Sequence, residues 1–173
     1  MLSFLVAVLA GAAQGSAAAE VHATNLPRVF EAACLDGQAK LSAGEVTPIS
    51  FDQLPSALRD KLGQPASGNV WQLNASGRSY LYMLDYDASS GANPKICGVA
   101  SDAMDLNAGT VALAARVAGG IERSGQRSAQ WLNAKDGYVA TATTASQFKV
   151  LQISWLSESQ KAAALAHVGQ LPQ

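Results

Sequence analysis

Charge is what this sequence has least of. Charged residues make up 14% of the 173-residue chain, where about a quarter is usual, and 12 Lys and Arg stand against 13 Asp and Glu. Without a basic excess there is no field to gather a polyanion, which argues against nucleic acid and acidic membranes as partners. Histidine is nearly absent, with only His22 and His167. A zinc centre needs three or four close ligands, and a serine nucleophile needs a base within hydrogen-bond reach. Two distant histidines supply neither. The chain has no Cys-x-x-Cys, no Gly-x-Ser-x-Gly elbow, no phosphate-cradling Gly-x-x-x-x-Gly-Lys-Ser/Thr and no Rossmann glycine pattern. Thioredoxin-like, α/β-hydrolase and nucleotide chemistries therefore lack their signatures, and no cofactor is expected. Ser146 and Lys149 have the Ser-x-x-Lys spacing of penicillin-binding enzymes, but the companion Ser-Asp-Asn and Lys-Thr-Gly motifs are missing.

What is present begins with an apolar leader. Residues 1–19 contain no acidic or basic side chain, and Ala17 and Ala19 supply the small residues of a signal-peptidase site before Glu20. The apolar stretch is short for a bilayer span of roughly 20 residues. The expectation is a signal peptide over 1–19, no membrane anchor after cleavage, and a single domain over 20–173 in the periplasm or outside the cell. Its two cysteines, Cys34 and Cys97, fit that oxidising compartment as one disulfide. In the chain-entropy model, closing a loop of about 63 residues contributes roughly 4 kcal/mol.

The period of the apolar residues places the elements. Residues 29–35 read as a short helix stopped at Gly37. Apolar side chains at 51, 54, 58 and 62 have helical spacing and end at Gly63. Residues 70–73 and 79–84, joined by the turn 74–77, form a hairpin, and 95–100 a third strand. A helix follows, with Asp102 as its cap and Leu106, Thr110, Leu113, Ala114 and Val117 on one face. The second half repeats the plan: strands at 129–132, 138–143 and 148–155, then a helix with a Ser157/Gln160 capping box and Ala162, Leu165 and Ala166 turned inward. Trp71 and Trp131 fall at corresponding places. The predicted fold is α+β, an antiparallel sheet of five or six strands with helices packed on it, built from two strand-strand-strand-helix units.

Among side chains that could carry function, the loop 85–93 stands out. Asp85, Asp87, Ser89 and Asn93 offer oxygen donors at alternate positions, as a weak calcium site would. The turn glycine comes one place late, however, and Ile96 stands where a bidentate glutamate is required. The loop reads first as a turn, with Tyr86 outside and, with Asp85, Asp87 and Asn93, forming a ligand or partner surface. Tyr80, Tyr82, Trp71, Trp131, Tyr138 and Trp155 read mainly as core. Glu31, Asp36, Asp52, Asp85, Asp87, Asp102 and Asp105 offer carboxylate pairs for a small hydrolase, with nothing to select among them.

The leader, the early Cys34, the Trp71 hairpin and the Cys97-Gly98-Val99 strand together resemble the small, uncharacterised exported proteins of alphaproteobacterial genomes. That resemblance implies no activity and transfers no functional residue. The function expected is a non-enzymatic, monomeric binding or accessory module of the envelope, taking a protein, peptide or small molecule. The alternatives are a carboxylate hydrolase and a weak calcium-binding module.

Overall fold

The structure is a computed structural model that describes residues 22–37, 41, 44–87, 93–117, 121–125 and 128–168. The expected signal peptide lies outside them. The described chain forms one antiparallel sheet of eight strands: β1 (Val46–Ile49), β2 (Ser67–Leu73), β3 (Ser79–Asp85), β4 (Lys95–Ser101), β5 (Ile121–Gly125), β6 (Ser128–Asn133), β7 (Tyr138–Ala145) and β8 (Phe148–Trp155). Their order is β1-β2-β3-β4-β8-β7-β6-β5. Two four-strand meanders thus meet at the β4–β8 pair, and each meander is followed by a helix. Trp71 and Trp131 lie on the second strand of their halves.

The sequence-based expectation of five or six strands falls short by the two outermost ones. β1 is only four residues long and holds Pro48, which cannot donate to a ladder and is tolerated at a sheet edge. β5, at the other edge, is the polar run Ile-Glu-Arg-Ser-Gly.

Strand alternation sorts the side chains onto two faces. The front carries Leu81, Val99, Leu151 and Ala142 in one cross-strand row and Met83, Cys97, Ile153, Ala140 and Trp131 in the next. The back carries Val70, Tyr82, Gly98, Gln152 and Thr141 in one row and Tyr80, Ala100 and Val150 in another.

Helices cover parts of both faces. On the front lies α1 (Leu26–Phe30), which continues as a π-helical turn over Glu31–Leu35. Leu26, Val29, Phe30 and Ala33 repeat at helical spacing and are buried there. The π turn brings Cys34 to Cys97 on β4, and the two are disulfide-bonded with their Cα atoms 5.5 Å apart. α3 (Leu106–Arg116) packs over β7 and β8. Its cap is Asp105, whose carboxylate accepts from the backbone N–H of Asn107 at 2.9 Å. Asp102, the expected cap, instead clamps the β2–β3 turn: it accepts from the Arg78 backbone at 2.8 Å and from its Nε at 2.9 Å. These bonds hold its carboxyl below the usual aspartate range. On α3, Leu113 and Val117 are buried and Leu106, Thr110 and Ala114 half-buried, as the periodicity predicts.

On the back, a 3-10 turn at Phe51–Gln53 leads into α2 (Ser56–Leu62), which sets Leu58 and Leu62, together with Leu54 ahead of it, against Val70, Tyr80, Tyr82 and Leu84. It stops at Gly63, whose φ of +71° suits glycine.

The last helix, α4 (Glu158–Val168), departs from expectation. Its capping box forms, with Ser157 N donating to Gln160 Oε1 at 2.8 Å. Yet Ala162, Leu165 and Ala166 are exposed rather than turned inward.

Candidate functional site

The 85–93 segment connects β3 to β4, and strand alternation divides its candidates. Asp85 ends β3 on the front, opposite Lys95, and accepts from Ser67 Oγ at 3.4 Å. Tyr86 turns the other way and joins the back-face cluster. Its hydroxyl donates to the Leu62 carbonyl at 2.7 Å, satisfying an end-of-helix acceptor of α2. It is half-buried rather than outside, and burial pushes its phenol up to about 12. Asp87 is exposed, Asn93 half-buried, and Ser89 lies outside the described residues. Among the described residues, no three His, Cys, Asp or Glu side chains gather as metal ligands would.

Among the described side chains, the remaining candidates do not converge on a catalytic group either. His22 is exposed, with Nδ1 3.3 Å from Glu45 Oε1. His167 lies in the last turn of α4. Ser146 occupies the β7–β8 turn at φ +55°, while Lys149 donates to the Asp102 carbonyl at 2.9 Å, so the Ser-x-x-Lys spacing is a turn and a strand rather than a dyad. Glu31 is buried and paired with Arg28, and Asp36 pairs with Arg116.

The structure does bring together a set of residues that the sequence left scattered. A pocket of about 350 Å³ opens on the front face, lined by Cys34, Leu35, Arg116, Asp136, Tyr138, Ile153 and Trp155. Tyr138 at the start of β7 and Trp155 at the end of β8 are direct cross-strand partners, so both side chains stand on the same face of the sheet. The π turn supplies Cys34 and Leu35, and the last turn of α3 supplies Arg116. The tight turn between β6 and β7 supplies Asp136. Within it, Asn133 Nδ2 donates to Asp136 Oδ2 at 2.8 Å and to the Tyr138 hydroxyl at 3.2 Å, and Asn133 Oδ1 accepts from Asp136 N at 2.9 Å. Beyond Trp155 the same row continues to Lys95, whose ammonium lies 5.5 Å from the indole centroid, and then to Asp85.

Tyr138 and Trp155 are half-buried, unlike Tyr82 and Trp131, which the core encloses. Sequence reasoning grouped all four as aromatics and gave no weight to Arg116 or Asp136. The one available signal was the register of the β7–β8 hairpin, which pairs Tyr138 with Trp155.

The fold and pocket define a disulfide-bonded α+β protein on an eight-stranded antiparallel sheet. Comparison with protein-family models, curated proteins and solved structures finds no match to the chain.

Proposed function

We propose that the protein is an exported, non-enzymatic binding module of the envelope that acts as a monomer and takes a small ligand in the Tyr138–Trp155 pocket. The observation that carries this reading is the pocket itself, an open and largely polar depression that holds two half-buried aromatic side chains, Tyr138 and Trp155, together with Arg116 and Asp136. A binding role is favoured over hydrolysis because the polar groups there position one another. Arg116 is engaged by Asp36, and Asp136 by Asn133.

Export is supported by the apolar leader, by the Cys34–Cys97 bridge and by its compartment preference. No helix among the described residues is long and apolar enough to cross a membrane.

The test is affinity selection. The oxidised protein is incubated with a small-molecule extract of a bacterial envelope, separated by size, and the retained compounds are identified by mass spectrometry. A compound retained by the wild type and released by Trp155→Ala supports the reading. An empty result, or retention unchanged by Trp155→Ala, refutes it.

A further inference from the structure

We infer that the ligand class of this pocket is a neutral saccharide, an inference that rests on the binding role proposed above. The first ground is shape. Tyr138 and Trp155, paired across β7 and β8, offer two half-buried aromatic side chains on one face of the sheet, and one face of a pyranose ring is an array of C–H groups that packs on such a side chain. A volume of about 350 Å³ sits at the small end of the usual ligand range and holds about one or two such rings.

The second ground is charge. The lining charges Arg116 and Asp136 are opposite in sign, and the flanking Asp36 and Lys95 add one of each. These groups are also already engaged: Arg116 on Asp36, Asp136 with Asn133, Lys95 over the Trp155 ring. A ligand ion would have to break one of those pairs to gain its own. A hydroxyl need not, because a carboxylate oxygen retains acceptor capacity after one hydrogen bond and a guanidinium has five donors. Asp136 and Arg116 in the lining, and Asn133 beside the Tyr138 hydroxyl, are planar groups of the kind that can engage neighbouring hydroxyls.

The experiment is a heteronuclear NMR titration of the oxidised protein with cellobiose, maltotriose and N,N′-diacetylchitobiose at millimolar concentration, and in parallel with glucuronate and an Ala-Leu dipeptide. The expected result is saturable shifts of the Tyr138 and Trp155 signals with at least one neutral saccharide. Affinity should weaken about tenfold or more in Trp155→Ala and measurably in the exposed-site variant Arg116→Gln, whose fold is checked in the same spectra. Shifts with glucuronate or the dipeptide but not with the saccharides would overturn the ligand class and leave the binding site standing. Saccharide shifts that map away from Tyr138 and Trp155 would overturn it as well. No shift with any probe, together with an empty affinity selection, would remove both the ligand class and the binding role.

Discussion

The side chain of Tyr82 lies across Gly98. The two residues are cross-strand partners on the back face, and the Tyr82 hydroxyl passes over the glycine to donate to Gln152 Oε1 at 2.9 Å on the strand beyond. A Cβ at position 98 would collide with that hydroxyl and approach the Leu151 carbonyl oxygen to 2.8 Å. One tyrosine thereby links β3, β4 and β8, the strands where the two halves of the sheet join.

Gly98→Ala is accordingly expected to destabilise the protein by about 1–3 kcal/mol, the usual cost of overpacking. Tyr82→Phe leaves Gln152 without its donor and costs about 1 kcal/mol. Because both changes act on the same space, the double variant should lose less than the sum. Urea unfolding of the four proteins measures this, and strict additivity would show that Tyr82 does not occupy the site above Gly98.

Removing the bridge with Cys34→Ala and Cys97→Ala is expected to lower stability by about 2–5 kcal/mol. The loss should be felt at the π turn first, because Cys34 is its covalent tie to β4. Thermal unfolding with and without reductant measures the first effect, and hydrogen exchange at residues 31–35 the second. A reduced protein that melts with the oxidised one would contradict the assignment of the bridge as a main support.

Acid should loosen the β2–β3 turn late. Arg78 lowers the Asp102 pKa, so the clamp contributes its stability above the ordinary aspartate range and loses it as pH falls through the depressed value. The melting temperatures of wild type and Asp102→Asn should differ by a constant amount at neutral pH and converge only below about pH 4. Convergence already near pH 6 would mean that the carboxylate is not held by Arg78.

The alkaline side involves Tyr86. Its folded pKa of about 12 lies above the ordinary tyrosine value of ~10, so the unfolded chain loses this proton first. Stability from this group is full below ~10 and is lost as pH rises toward 12. Tyr86→Phe removes that slope, while Tyr82, also raised by burial, keeps part of the alkaline sensitivity. Denaturant midpoints across this range check it, and an unchanged slope in Tyr86→Phe would refute the role given to burial.

How far the sequence exposes this architecture depends on where each element sits. The central strands were legible because they are rich in β-branched, aromatic and other large apolar residues that the fold buries, among them Val70, Tyr80, Tyr82, Val99, Leu151 and Ile153. The edge strands need it less: β1 is brief and carries Pro48, and β5 has a single large apolar residue, Ile121. The capping box of α4 was legible because it is local, whereas the exposure of Leu165, at 49%, depends on tertiary packing that no local pattern records. Cys34, Arg116 and Tyr138 belong to three separate segments whose meeting is a property of topology, so the pocket had no linear signature. Tyr86 misled for a related reason: the acceptor that draws its hydroxyl inward, the Leu62 carbonyl, is 24 residues away.

The meeting of β4 and β8 has a consequence for the order in which the chain assembles. Both cysteines precede β5, so the bridge can close while the second meander is still being synthesised. Until β8 arrives, however, β4 is a bare apolar edge, and such an edge readily recruits strands from other chains. The distance along the sequence between the two central strands thus sets a waiting time during which the half-made sheet must be kept from its neighbours, and folding yield at high expression should fall with protein concentration rather than with redox conditions alone.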